Sequence, residues 1–473
     1  MAPPAFPTES DLHALLQRQR LATIGRPVTA ATRKDRLRRA IDLLVTHEAA
    51  LTDAMVEDFG IRSRDQSRLY DIVASLGPLK HAAAHVDRWM KPERRKVDPM
   101  LGLMGASAWI EHQPKGVVGI LSPWNFPLFL TFTPLAGVLA AGNSALIKPS
   151  EHTPRTSALL AELVEAGFDE EELRVVTGDA EVAAAFTRLP FDHIIYTGST
   201  SVGRHVMRAA AENLTPLTLE LGGKSPVIVG QGPNLKLMAN RLITGKLLNA
   251  GQICLAPDYV LVPRSELPTL IAALTEAAKT LYPDLDANPD YGAVLGDRNR
   301  GRILAYVDEA RASGAEVVQI GGASEGGRLP FFIIRDCPPD LAVMSDEIFG
   351  PILPVIGYDS LDEAIAFVNA RPRPLGLYFF GSDKGEERAV LERTVSGGVT
   401  LNDVVFHVTV EDLPFGGVGA SGFGVYHGLE GFKAVSHPKP IFRQSRLDVA
   451  GIAGLAPPYG DKLRAYIAKH LSR

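Results

Sequence analysis

Between Gly116 and Asn213 the chain alternates short apolar runs with segments of helical periodicity, and this alternation restricts its fold more than any other feature. Val117-Val-Gly-Ile-Leu121 is apolar without interruption and too short for a helix, the pattern of a strand buried on both faces of a parallel sheet. A small-residue helix over Leu135–Ala141 leads to a second such strand, Ser144–Lys148. Helix Thr156–Ala166, strand Arg174–Thr177, helix Ala180–Leu189, strand His193–Thr197 and helix Thr200–Asn213 follow in turn. Strand and helix exchanging at this spacing predict βαβ units and a parallel sheet, a Rossmann-like domain. Open sheets of this kind bind ligands beyond the carboxyl ends of their strands. The loops at those ends are therefore the first places to look for chemistry.

Leu217–Val229 reads as strand, glycine turn, strand, and it opens a second α/β series. That series has helices over Leu235–Leu248, Leu267–Leu281, Gly301–Ser313 and Leu361–Asn369, with extended segments at Tyr259–Val262, Val317–Ile320 and Gly376–Phe380. The glycine-rich stretch 321–327 is expected to be a surface loop. Ahead of the sheet, residues 9–59 are helical around a break at Gly25-Arg-Pro27, and a further helix runs from about Ser67 to Met90. Arg33 to Arg39 carries five basic residues and one acid, which reads as a solvated helix face. Residues 93–107 form a connection into a strand, Ala108–Gln113. From Lys439 the regularity is lost, apart from one amphipathic helix expected over Asp461–Leu471.

Composition narrows the function. A hydrophobic share of 46%, a charged share of 22% and a formal charge of −5 are those of an ordinary globular chain and argue against a nucleic-acid surface. Two cysteines far apart, Cys254 and Cys337, make neither a disulfide framework nor a zinc cluster, so a reducing, cytoplasmic setting is expected. The first residues lack the basic and apolar regions of a signal peptide, and no apolar run reaches the length of a membrane span.

Several positions then stand out, each with two readings. Cys254, in Leu248-Asn-Ala-Gly-Gln-Ile-Cys-Leu-Ala-Pro257, is either a buried structural thiol or a nucleophile in need of a base and an oxyanion site. Asn125, in Ser122-Pro-Trp-Asn-Phe-Pro127 at a strand's carboxyl end, is a turn asparagine or a pre-aimed amide donor. Gly198-Ser-Thr-Ser-Val-Gly203 joins a strand to a helix whose first N–H groups could bind a pyrophosphate, although its spacing is neither Gly-x-Gly-x-x-Gly nor a Walker loop. Glu220 ends a strand before Gly222-Gly223 and is an exposed rim residue or, if buried beside Cys254, a base. Lys148 and Glu151 read as a surface ion pair.

In this order the motifs resemble one family over nearly the whole chain. Pro123-Trp-Asn-Phe-Pro127, Lys148-Pro-Ser-Glu151, Gly198–Gly203, Leu219-Glu-Leu-Gly-Gly223, Gly251-Gln-Ile-Cys254, Glu347-Ile-Phe-Gly-Pro351 and Pro414-Phe-Gly-Gly417 are similar to those of the aldehyde dehydrogenase superfamily. Ala256-Pro-Asp-Tyr-Val260, Pro374-Leu-Gly-Leu-Tyr378 and Gly424-Val-Tyr-His-Gly428 resemble its class 3 branch, and within it the bacterial enzymes acting on coniferyl aldehyde. Ile253 departs from the pattern, where threonine is frequent.

The resemblance implies an α/β fold: a Rossmann-like NAD(P)-binding domain (residues 1–96 and 118–221), a second α/β catalytic domain (222–429) and a bridging, oligomerising element with the tail (97–117 and 430–473). It implies oxidation of an aldehyde to the acid, with Cys254 as nucleophile, Asn125 and the Cys254 N–H as oxyanion donors, and Glu220 activating water. For the cofactor it implies Lys148 and Glu151 at the adenine-side ribose and Gly198, Ser199, Thr200 and Gly203 at the pyrophosphate. Glu347 and Phe349 fall at the nicotinamide ribose and ring, with Pro123, Trp124 and Leu221 alongside. NAD is expected before NADP, because Glu151 would repel a 2′-phosphate. A homodimer is expected, with no metal and no nucleic-acid partner.

Overall fold

Val117–Leu121 is buried at every position and pairs in parallel with Ser144–Lys148 on one side and His193–Gly198 on the other. A computed structural model describes residues 6–23, 25–322 and 326–472. The six-stranded sheet built on this central strand runs Gly422–Phe423, Leu217–Leu221, His193–Gly198, Val117–Leu121, Ser144–Lys148, Leu173–Val175. All pairings are parallel except the first. The chain moves outward from the central strand through Ser144–Lys148 to Leu173–Val175, then returns to the other side. The strand order therefore reverses between Val117–Leu121 and His193–Gly198, which opens a crevice at their carboxyl ends. The loop carrying Asn125 and the Gly198 turn both leave from that point.

The second sheet has seven strands in the order Glu316–Ile320, Phe331–Arg335, Ile352–Tyr358, Tyr259–Pro263, Pro226–Val229, Gly376–Phe380, Gly398–Leu401. Only its first pair is antiparallel. Phe331–Arg335, Ile352–Tyr358 and Gly398–Leu401 were not expected from the sequence. Pro354 and Gly357 interrupt the apolar pattern of the second, and proline normally argues against an interior strand. Leu217–Leu221 belongs to the first sheet and Pro226–Val229 to the second, so the Gly222-Gly223 turn is where the chain crosses between them.

A third, antiparallel sheet joins Glu93–Arg95, Ser107–Pro114 and Ser436–Arg443. The expected loss of regularity from Lys439 is corrected here: residues 436–443 pair along their length with 107–114. Pro438 and Pro440 alternate along this edge strand, so both positions without an N–H face the same way, away from the ladder. Residues 93–95 and 99–103 are likewise ordered, as a short strand and a short helix.

The basic run at Arg33–Arg39 is also corrected. Arg33 and Arg36 are buried, not solvated. Arg33 donates to the Ala140 carbonyl at 2.9 Å and Arg36 to that of Asn143 at 3.4 Å, capping the carboxyl end of helix Phe129–Ala141, where positive charge is favoured. Arg36 and Arg39 share Glu172 at 3.0 and 2.7 Å. The hydrophobic stripe on helix Ala30–Thr46 carries these guanidinium groups inward with it, which a charge count alone does not reveal.

Helix Asp461–Leu471 forms as expected but contains no buried residue. The 321–327 loop lies partly outside the described residues. Among those described, no helix is long and apolar enough to cross a membrane.

Candidate active site

The turn that presents Cys254 is built from unusual backbone. Asn249 and Ala250 both have positive φ, 50° and 53°, and Gly251 follows at 79°. Two consecutive non-glycine residues in the left-handed region persist only where the surroundings over-determine them. Here they do. The Asn249 N–H donates to Gln66 Oε1 (3.1 Å), and the Asn249 amide donates to the carbonyls of Asn125 (3.1 Å) and Gln252 (3.3 Å). Gln252 in turn donates to the Asn249 and Ala293 carbonyls and accepts from the Leu295 N–H. A side chain at Gly251 would lie 2.4 Å from the Gly350 carbonyl, so this turn is pressed against the Glu347-Ile-Phe-Gly-Pro351 loop.

Cys254 itself is partly accessible, whereas Cys337 is buried with its thiol near its own Pro338 carbonyl. Burial, with the carboxyls of Glu347 and Glu220 nearby, pushes the Cys254 thiol up to about 12, opposed by the N–H groups of Cys254 and Leu255. It is a protonated thiol at rest, beside N–H groups that favour developing negative charge. Phe126, Leu130, Leu255, Phe415 and Tyr426 make an apolar cluster on which Cys254, Tyr70 and Leu248 pack.

Asn125 is buried, and its amide donates to the Gln252 carbonyl at 3.1 Å, two residues before the thiol. A buried ion pair holds its loop. Arg62 donates to the Asn125 carbonyl (2.9 Å) and to Asp71, while Asp71 accepts the N–H groups of Leu128 (3.1 Å) and Phe129 (3.3 Å) at the start of helix Phe129–Ala141. The Arg62 guanidinium also lies over the rings of Phe59 and Phe126. Asp71→Ala would leave Arg62 charged, buried and unpaired. It should cost about 3–5 kcal/mol of stability, measured by denaturant unfolding.

Glu220 does not sit on an exposed rim. It is 2% exposed, and neither carboxyl oxygen has a hydrogen-bond partner. Burial drives its pKa well above the ordinary carboxyl range. It faces Cys254 and Tyr426 electrostatically, and the Gly416 backbone of the Pro414-Phe-Gly-Gly417 motif packs over one of its oxygens.

At the switch point, Ser199 caps helix Thr200–Ala211 by accepting the Val202 N–H, and Thr200 donates to the Ala420 carbonyl at 3.4 Å. A side chain at Gly203 would meet the Leu221 side chain at 2.7 Å, so with glycine there the helix start packs directly on the strand end. Lys148 is 2% exposed, donates to its neighbour's Pro149 carbonyl (2.8 Å) and lies 3.7 Å from exposed Glu151, so its half of the expected surface pair is interior. Trp124, which follows Pro123, meets Phe349 edge-on at 5.5 Å; Phe349 has φ 47°. The Glu347 carboxyl rests against Gly222 and accepts the Gly223 N–H, but its Oε1 has no partner.

Burial first, and Asp258 second, push Glu347 up to about 8 from an ordinary 4.5. The folded state then binds this proton more tightly than the unfolded chain. Its contribution is most favourable below pH 4.5 and is lost as pH rises toward 8. Glu347→Gln should therefore flatten the alkaline fall in the thermal midpoint measured between pH 5 and 9.

The structure gives a place at the site to residues that the sequence reading passed over (Arg62, Asp71, Lys224, Lys246) or quoted only as part of a motif (Gln252, Asp258, Tyr378). Lys224, Lys246 and Asp258 form a charged group beside Glu347, and Tyr378 donates to the Leu255 carbonyl at 2.5 Å just past the thiol. Arg62, Asp71 and Gln252 support the site from other parts of the chain. Arg62, Asp71, Lys224 and Lys246 carry no local signal; an isolated lysine in a helix reads as solvated.

A parallel sheet with a switch point at its strand ends, beside a second α/β sheet, with a thiol and buried carboxyls brought together where the two meet, fits an enzyme that uses a dinucleotide. Comparison with known proteins agrees. The description "Aldehyde dehydrogenase family" matches residues 14–441, and the chain belongs to that family. A probable coniferyl aldehyde dehydrogenase of Caulobacter vibrioides is 52% identical over 470 residues, covering 98% of this chain and 97% of the relative. A coniferyl aldehyde dehydrogenase of a Pseudomonas species is 48% identical, covering 94% and 93%. The substrate-bound AldH of Staphylococcus aureus superposes with a TM-score of 0.91 at 35% identity, over 97% of this chain and 99% of that one. Two more distant structures, each 26% identical with a TM-score of 0.84, are an NAD+ complex of a Bacillus cereus aldehyde dehydrogenase (93% of this chain, 90% of that one) and an NADP-dependent enzyme of E. coli (92% and 90%). The protein is an NAD(P)-dependent aldehyde dehydrogenase that oxidises an aldehyde to the acid.

Proposed function

We propose that this chain oxidises aromatic, cinnamyl-type aldehydes such as coniferyl aldehyde, with NAD as the preferred acceptor. The relatives acting on coniferyl aldehyde match along almost the whole chain, and the apolar cluster at Cys254 is rich in aromatic side chains. The observation that carries the mechanism is Glu220, a buried carboxyl whose oxygens have no hydrogen-bond partner and which lies within electrostatic reach of Cys254.

Cys254 gives its thiol proton to water entering its partly accessible site, the N–H groups of Cys254 and Leu255 favouring the thiolate, and the sulfur attacks the carbonyl carbon. The developing alkoxide is held by the Cys254 N–H and by the Asn125 amide, which exchanges its Gln252 contact for the substrate. Losing one such donor typically costs about 3 kcal/mol of transition-state stabilisation. The bound nicotinamide supplies the hydride acceptor. Departure of hydride from the thiohemiacetal leaves a thioester on Cys254. Glu220 then takes a proton from water, whose oxygen attacks the thioester, and the acid and free thiol are released.

The residues at the switch point fit a dinucleotide. The capped helix start at Ser199 and Thr200, with Gly198 and Gly203 keeping the turn tight, suits the pyrophosphate. The orphan Oε1 of Glu347 and the Phe349 ring suit the nicotinamide end, with Pro123, Trp124 and Leu221 beside them. Lys148 and Glu151 suit the adenine-side ribose, where Glu151 disfavours a 2′-phosphate. Binding to NAD over NADP is expected to differ by at least about 1 kcal/mol and is read by comparing the two dissociation constants.

In this reading residues 1–96 and 118–221 bind the cofactor, 222–429 carry the chemistry, and 97–117 with 430–473 bridge two copies in a cytoplasmic homodimer. A terminal helix exposing Tyr466, Ile467 and Leu471 with nothing buried supports a partner there. Light scattering should give twice 50.9 kDa. The function is tested by NADH formation from coniferyl aldehyde and NAD without coenzyme A. Formation only when coenzyme A is added would instead indicate an acylating enzyme, against which Glu220 argues.

A further inference from the structure

A cleft of about 200 Å³ opens between residues 63–70, the last turn of helix Leu235–Leu247 and residues 282–290. About 150 Å³ of such space holds a benzene ring. Tyr70 and Leu248 line the cleft, and both also pack on the apolar cluster that carries Cys254. Leu248 begins the turn that presents the thiol, and Gln66, a further lining residue, accepts the Asn249 N–H of that turn at 3.1 Å. The cleft therefore adjoins the site of chemistry. Tyr70 stands on a π-helical turn, Arg68–Val73, a rare form that recurs at functional sites. The polar groups of the cleft are mostly committed. Thr244 donates to the Asn240 carbonyl at 2.8 Å, and Asp65 pairs with Arg68 at 3.6 Å. Ser63 accepts the Gln66 N–H at 3.3 Å and donates to Asp290 Oδ1 at 3.1 Å. The second oxygen of Asp290 has neither a cation nor a donor among the described residues. The chain beyond Asp290 is braced against the thiol turn, because Gln252 donates to the Ala293 carbonyl at 3.0 Å and accepts the Leu295 N–H at 2.8 Å. An acid with a free oxygen is thus held at the rim of an aromatic and aliphatic cleft beside Cys254.

We propose that this cleft seats the aromatic ring of the substrate and that Asp290 selects rings bearing a hydroxyl, accepting the phenolic O–H on its free oxygen. This rests on the reading of the substrate as a cinnamyl-type aldehyde and says which ring is preferred. The ring lies against Tyr70 and Leu248, the propenal arm leads to Cys254, and the hydroxyl meets Asp290. A phenol brings one donor and a carboxylate only accepts, so the two are complementary. A ring without the hydroxyl strips water from the acid and returns nothing, which is how a polar group in a binding site rejects the analogue that lacks its partner. Asp290 touches no reacting atom. It acts on how well the ring is held, not on the steps at the thiol.

The test compares kcat/KM, with NAD, for coniferyl aldehyde and for 3-methoxycinnamaldehyde, which differ only in the ring hydroxyl. The unaltered protein should favour coniferyl aldehyde about tenfold, the effect of one charge-assisted hydrogen bond at an exposed rim. Asp290→Ala should bring that ratio to about one, through a higher KM for coniferyl aldehyde with kcat little changed. Asp290→Glu, which keeps an acceptor, should retain more of the ratio than Asp290→Ala. A merely structural role would lower kcat/KM for both aldehydes alike and leave the ratio standing. A ratio near one in the unaltered protein, a ratio that Asp290→Ala leaves in place, or an equal loss for both aldehydes would each overturn the proposal. The first of these needs no variant, so the proposal stays open to refutation even where Asp290→Ala does not fold. Hexanal separates the two readings. If hexanal is oxidised and neither cinnamyl aldehyde is, the substrate class fails and the proposal with it. If both cinnamyl aldehydes are oxidised equally well, the class stands and only the role of Asp290 is lost.

Discussion

Cys254→Ala is expected to abolish aldehyde oxidation, lowering kcat by at least about four orders of magnitude while leaving NAD+ binding intact. No other group in the cluster can take its place. The second cysteine, Cys337, is buried in the core built around the seven-stranded sheet, and the Tyr378 hydroxyl near the site is committed to the Leu255 carbonyl. Removing one sulfur from a partly exposed position should cost little stability, so an unchanged thermal midpoint shows that the loss is chemical. Residual turnover above one per cent would sink the assignment. The same thiol makes a companion result measurable. With its pKa pushed up to about 12, Cys254 in the cofactor-free protein should alkylate with iodoacetamide far more slowly than free cysteine at pH 7, and faster as pH rises. Rapid alkylation at neutral pH would mean that the thiol is already ionised.

Glu220→Gln is expected to release about one NADH per active site in a burst and then stall, with the steady rate down by about two to three orders of magnitude. The burst is the discriminating signal. Thiol attack and hydride departure do not need Glu220, whereas hydrolysis of the thioester does, and glutamine cannot accept the proton of water. A variant that loses both phases equally would place Glu220 in the first half-reaction instead. Stability should move in the opposite sense to activity. Because burial raises the Glu220 pKa in the folded protein, the ionised carboxylate weakens the fold as pH rises above the ordinary carboxyl range. The amide removes that penalty, so the thermal midpoint of the variant should hold or increase, most visibly at alkaline pH. For the same reason, turnover of the unaltered protein should decline toward acidic pH as Glu220 protonates.

Much of the fold was legible along the chain because parallel strands buried on both faces leave uninterrupted apolar runs. Val117–Leu121, Ser144–Lys148 and His193–Gly198 announce themselves in this way, and so does the placing of Asn125 and Gly198 at strand ends. Ile352–Tyr358 and Ser436–Arg443 did not, because the prolines within them mimic loop composition. Arg33 and Arg36 were misread as solvated because local charge says nothing about which carbonyls a neighbouring helix leaves open.

What the sequence by itself determined was the order of layers and the identity of the reactive groups. Periodicity is a local property, and the motif at Gly251–Cys254 is contiguous. What only the tertiary structure decided was the state of those groups. That Glu220 is buried without a partner, that Asn249 and Ala250 are held in left-handed backbone, and that Glu347 is enclosed with one oxygen unpartnered all depend on residues far apart in the chain meeting in a low-dielectric interior. There the cost of an unpaired charge is set by its distant neighbours, and no window of sequence contains them.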